Sequence, residues 1–163
     1  MPVKAIPEGY HTATPCLVVR NAAQAIEYYK KTLGAQEIMR MPMPDGKVGH
    51  AEIRIGDSVI MLGDESERNV SKAPQTLGGT TGGVMLYLED VDAAFKRAVD
   101  AGAKSVMPPM DMFWGDRYGQ FIDPFGQVWS VATHKEDVTP AEMDRRAQAF
   151  YAQMSKEAQR KTA

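Results

Sequence analysis

The sequence predicts an α+β fold: two βαβββ modules forming curved mixed sheets around a cleft, followed by a C-terminal helix. Three observations carry this expectation. The chain runs through the same order of apolar segments twice, about 69 residues apart. Each pass sets an extended apolar run ahead of a stretch with helical spacing that closes on Gly-Ala. After each helix the apolar residues fall into short strand-like segments, with a clear period of two in the first pass.

Residues 1–10 read as a short arm, punctuated by Pro2, Pro7 and Gly9. The first module takes residues 11–66. Its opening strand is Cys16-Leu17-Val18-Val19, in which Cys16 is expected to be a small buried hydrophobe. A helix follows over Asn21–Leu33, with Ala22, Ala25, Ile26, Tyr29 and Leu33 on its buried face. Asn21 caps it, Gln24 stands three residues on, and Gly34 stops it. Met39, Met41 and Met43 then alternate with Arg40 and Pro42 up to a turn at Pro44–Lys47. In the next strand His50, Glu52 and Arg54 alternate with Ala51, Ile53 and Ile55. Gly56-Asp57 turns the chain into Val59–Leu62.

Residues 67–82 form a polar, glycine-containing linker. The second module, residues 83–134, repeats the order. Val84–Leu88 is its first strand, and Val91–Ala101 is a helix with Asp90 as cap and Gly102 as stop. Gln120–Ile122 and Gln127–Ala132 are its closing strands. Both helices are expected on the outer faces of their own half-sheets, leaving two bare faces to meet around a cleft. Residues 135–163 read as a C-terminal amphipathic helix. Thr139-Pro140-Ala141-Glu142 is a capping box, and Met143, Ala147, Phe150, Tyr151 and Met154 form an apolar stripe. That stripe packs either on its own domain or on a second subunit, and the expected assembly is a homodimer.

Composition narrows the function classes. Of 163 residues, 44% are hydrophobic and 25% charged, as in ordinary soluble domains. The net charge of −2 gives no basic surface for nucleic acid or an anionic membrane. No apolar run approaches the roughly 20 residues of a membrane span, and the prolines of the arm do not read as a signal peptide. A cytoplasmic protein is expected, with a small-molecule ligand and neither nucleic acid nor membrane as partner. The single cysteine excludes an internal disulfide.

Certain segments in this order resemble the vicinal oxygen chelate superfamily, which includes glyoxalase I, bleomycin-resistance proteins and extradiol dioxygenases. They are Thr14–Val19 running into Ala25–Tyr29, then Leu33-Gly34-Ala35 and Gly49-His50-Ala51-Glu52, and in the second half Leu88–Asp92, Gly102-Ala103, Trp114–Arg117 and Asp123-Pro124-Phe125-Gly126. Roughly residues 12–134 take part. In flavour the chain is similar to the glyoxalase-like proteins grouped with PhnB. The resemblance implies four positions, two per half, where His and Glu side chains hold a divalent metal. On this chain they fall at Thr14, Met61, Gly83 and Ser130; Thr14 to Gly83 and Met61 to Ser130 are both 69 residues. None is a normal ligand for such a metal. No cofactor is therefore expected, unless a metal sits at a relocated site built from His11, His50 and Glu52.

Other residues remain for chemistry. His50 and Glu52 are the candidate catalytic pair, and Arg54 shares their strand face. They form either a proton-handling or anion-holding group or a structural pair on a solvated face. Trp114, Asp116, Arg117 and Tyr118 either clamp a flat or anionic ligand or fix a turn. Met61 and Ser130 complete the expected ligand-binding set. The expected function is metal-free small-molecule binding; the alternative is a glyoxalase-like lyase or isomerase using His50 and Glu52 or a relocated metal.

Overall fold

The computed structural model describes residues 3–68 and 70–162. The first module contains β1 (Cys16–Val19), α1 (Ala22–Leu33), β2 (Gln36–Pro42), β3 (Val48–Ile55) and β4 (Ser58–Asp64). A short helix, α2 (Pro74–Leu77), interrupts the linker. The second module contains β5 (Gly83–Tyr87), α3 (Val91–Asp100), β6 (Lys104–Asp111), β7 (Asp116–Ile122) and β8 (Val128–His134), and α4 (Pro140–Thr162) follows. Each module folds into a four-stranded mixed sheet, ordered β1-β4-β3-β2 and β5-β8-β7-β6. The first strand runs parallel to the fourth, and the other neighbours are antiparallel.

Local chemistry sets the element ends. The Asn21 side chain accepts the Gln24 N–H, and Asp90 accepts that of Ala93. β6 carries Pro108-Pro109, which weakened its strand signal in the sequence. As an edge strand it tolerates them, with register shifts on either side of Met107.

The helices lie where the two modules join, not outside them as expected. Tyr28 donates its hydroxyl to Ala98 O at 3.1 Å, and Arg97 Nε donates to Thr32 O at 3.2 Å. Ala51, Ile53, Ile60 and Leu62 of the first sheet and Phe121, Trp129 and Val131 of the second belong to one continuous core. The faces opposite this core are therefore turned outward. The Asp123 carboxylate locks the join. It accepts Tyr29 OH (2.7 Å), Trp129 Nε1 (2.8 Å), and the backbone N–H groups of Phe125 (2.8 Å) and Gln127 (2.9 Å). Burial pushes this carboxyl up and the four donors oppose that.

Pairing registers expose the internal repeat. Across the first sheet Met39, Glu52, Met61 and Cys16 form one row; across the second, Met107, Gln120, Ser130 and Met85 do. One row along, Met41 and His50 correspond to Met110 and Tyr118. Both rows lie on the outward faces, since their neighbours Ala51, Ile53, Phe121 and Trp129 are buried in the core.

Candidate functional site

On the first sheet's outward face, β3 presents His50, Glu52 and Arg54 side by side, because Ala51, Ile53 and Ile55 occupy the core side. Glu52 is buried. Its Oε1 lies 3.2 Å from His50 Nε2, and its Oε2 accepts the hydroxyl of Tyr10, which reaches in from the N-terminal arm. The Tyr10 bond, aided by His50, holds the Glu52 carboxyl below its usual range, so it is ionised at neutral pH; the same bond raises the Tyr10 phenol. Glu52, Met61 and Thr14 line a cavity of about 450 Å3 together with Tyr10 and His11.

The second sheet carries a neutral counterpart. Tyr118 OH and Ser130 Oγ are 2.8 Å apart, and Gln120 Nε2 donates to both, at 3.3 and 3.1 Å. Gly83, Met85, Gln120 and Ser130 line a separate cavity of about 370 Å3. Where the first half holds an imidazole and a carboxylate, the second holds a phenol and a carboxamide.

The remaining predicted residues go different ways. Asp116 faces outward yet is buried, because Trp114 Nε1 and Tyr87 OH each donate to its Oδ2 at 3.0 Å and His134 Nδ1 meets its Oδ1 at 2.8 Å. Arg117, read with Trp114 as part of either a clamp or a fixed turn, is turned to α3. It forks onto Asp92 at 2.6 and 2.7 Å and reaches Asp111 at 3.2 Å. Cys16, expected to be buried, is exposed, because β1 is an edge strand and its outward face is open. Its Sγ stands 3.8 Å from Met61 Sδ. His134 is held on both nitrogens, the second by Asp137 at 3.0 Å. These carboxylates raise its pKa, Asp116 first. Tyr10 and Gln120 were missed. An arm marked only by proline and glycine gives no sign of where it docks, and Gln120 stands out only once the strand register is known.

The site does not fit the divalent metal that the fold resemblance implies. Thr14 and Ser130 offer hydroxyls, Met61 a thioether, and Gly83 no side chain. At Gly83 the backbone itself leaves no room, since an added Cβ would stand 2.7 Å from Val128 O. His11 is drawn towards Asp57 at 3.6 Å, and among the described residues no group of three or more His, Cys, Asp or Glu is placed to hold an ion.

Residues 10–131 match the model of the glyoxalase/bleomycin resistance protein/dioxygenase superfamily. The chain belongs to this superfamily. Mb0911c of Mycobacterium bovis is 44% identical over 133 residues, covering 80% of this chain and 88% of that protein. The solved structure of the Arabidopsis thaliana protein At5g48480 superposes with a TM-score of 0.62 at 26% identity, over 75% of this chain and 98% of that one. A PhnB protein from Bacillus cereus does so at 0.60 over 76% and 99%; at 16% identity this likeness concerns the fold alone. No helix among the described residues is long and apolar enough to cross a membrane.

Proposed function

We propose that this superfamily member is a small-molecule-binding protein that works without the superfamily's divalent metal. One observation carries the reading: the four positions that would ligate an ion offer two hydroxyls, a thioether and a glycine whose backbone excludes a side chain. Binding tolerates this donor set, whereas Lewis-acid chemistry at these positions does not. The outward faces supply apolar surface beside fixed polar groups, the usual make-up of a ligand site. The two half-sites line separate cavities, and Met85, Tyr87 and Met110 are exposed on the second sheet. A homodimer that sets one copy's first sheet against the other's second would join them into a cleft.

The test is elemental analysis after incubation with Zn, Ni, Mn, Co and Fe(II), with a thermal-shift screen of small organic molecules and light scattering for the assembly. Substoichiometric metal, a dimer and a stoichiometric organic ligand without turnover are expected. About one tightly held ion per chain would overturn the metal-free reading. The second reading, a glyoxalase-like lyase or isomerase, is favoured by the 3.2 Å His50–Glu52 contact. It requires turnover that His50→Ala abolishes while the fold survives.

A further inference from the structure

The cavity on the first sheet has a wall that the superfamily match does not supply. Ala5, Ile6 and Pro7 line it, and they precede the matched segment. This arm is seated by two contacts. Tyr10 OH donates to Glu52 across 42 positions of sequence. A turn in which Tyr10 N donates to Pro7 O at 3.2 Å sets Gly9, at φ 81°, against the Arg54 guanidinium, and a Cβ there would stand 3.2 Å from Nη2. Arg54 Nε is meanwhile buried with no hydrogen-bond partner. A buried donor without an acceptor carries an uncompensated desolvation penalty. A ligand with its own claim on Glu52 competes with the Tyr10 hydroxyl for this seat.

Glu52 decides what that ligand is. It is buried and ionised, and among the described residues its donors are a phenol and an imidazole, with no lysine or arginine paired to it. The donor that best satisfies such a carboxylate is a full cation. Ala5, Ile6, Pro7 and Met61 give the wall an apolar stretch, beside the polar His11, Thr12 and Thr14. We propose that the N-terminal arm is a strap latched by Tyr10 on Glu52, and that the ligand is a small organic ammonium. Its charged head takes the place of the Tyr10 hydroxyl, and its apolar body lies beneath Ile6 and Pro7. This rests on the small-molecule-binding reading and adds to it the ligand class and the gate.

The experiment uses the full chain and three probes of one shape: 1-naphthylmethylamine, 1-naphthaleneacetate and 1-methylnaphthalene. Affinity is measured by calorimetry, and the arm is followed by hydrogen exchange. The ammonium should bind once per chain, at least tenfold tighter than the anion. Glu52→Gln should erase that preference. Tyr10→Phe should tighten ammonium binding several-fold and, without ligand, speed exchange of the amides of residues 8–11. Equal affinity for anion and cation, or no ammonium binding, overturns the ligand class. Unchanged exchange and affinity in Tyr10→Phe overturns the strap. If neutral or acidic molecules bind this face and ammonium does not, the ligand class fails while the small-molecule reading stands. If no molecule of any class binds, that reading fails, and exchange in Tyr10→Phe still decides the strap. Circular dichroism checks that each variant folds. Should Glu52→Gln not fold, the three probes on the unmodified chain decide the ligand class.

Discussion

Replacing Asp123 with alanine removes the acceptor on which four donors converge. Two of them belong to Tyr29 and Trp129, both fully buried. Each left without an acceptor costs about 1–3 kcal/mol. The Phe125 and Gln127 amides sit in the Asp123–Gly126 turn, where the loss of a charged acceptor frees the loop. The contributions overlap, so the expected total is about 3–5 kcal/mol, the range for breaking a buried polar network. For a chain of this size that lowers the melting midpoint by roughly 10–15 °C. Tyr29→Phe is the control: it removes one donor, leaves Asp123 three, and should cost only about 1–2 kcal/mol. Urea unfolding followed by tryptophan fluorescence reads both, since Trp129 lies at the lock. A cost below about 1 kcal/mol for Asp123→Ala, or equal costs for the two variants, would refute the view that this carboxylate joins the modules.

Three further outcomes are expected. Gly83→Ala should destabilise by about 1–3 kcal/mol, the range for overpacking against a fixed neighbour, because its Cβ meets the Val128 carbonyl; an unchanged thermal midpoint would contradict this. His134 should titrate above the ordinary imidazole value by NMR. Its folded pKa is raised, so the stabilisation is complete below the unfolded pKa and lost as pH rises through the folded one. The deficit of His134→Ala should accordingly be larger in mild acid than in mild base, and a pH-independent deficit would count against the Asp116–His134–Asp137 bridge. Truncation after Thr139 strips Phe150 and Tyr151 from Phe113, against which both rings pack; the remainder should unfold cooperatively and bind more of a hydrophobic dye than the full chain.

Periodicity revealed which residues share a face. The alternation along β3 placed His50, Glu52 and Arg54 together, and the repeat spacing found Met61 and Ser130, which occupy corresponding points of the two sheets. It did not reveal what covers each face. Tyr10 and Glu52 meet across 42 positions, Tyr29 and Asp123 across 94, and no local pattern encodes either meeting. The reversed placement of the helices has the same origin: an amphipathic stripe says that a helix is covered, and both sides of α1 found partners, its own sheet and the second module. Arg117 is parted from Asp116 because adjacent residues on a strand point to opposite sides.

The turn between β7 and β8 has a practical consequence. Glu52 pairs with Met61 nine residues on, whereas Gln120 pairs with Ser130 ten residues on. The later hairpin is one residue longer. A comparison of the halves that slides one onto the other by a constant 69 matches β4 with β8 but slips a residue on β3, setting Glu52 against the core residue Phe121 instead of Gln120. Anyone grafting one half's chemistry onto the other must change the offset at this turn, or a charged side chain will be written into the interior.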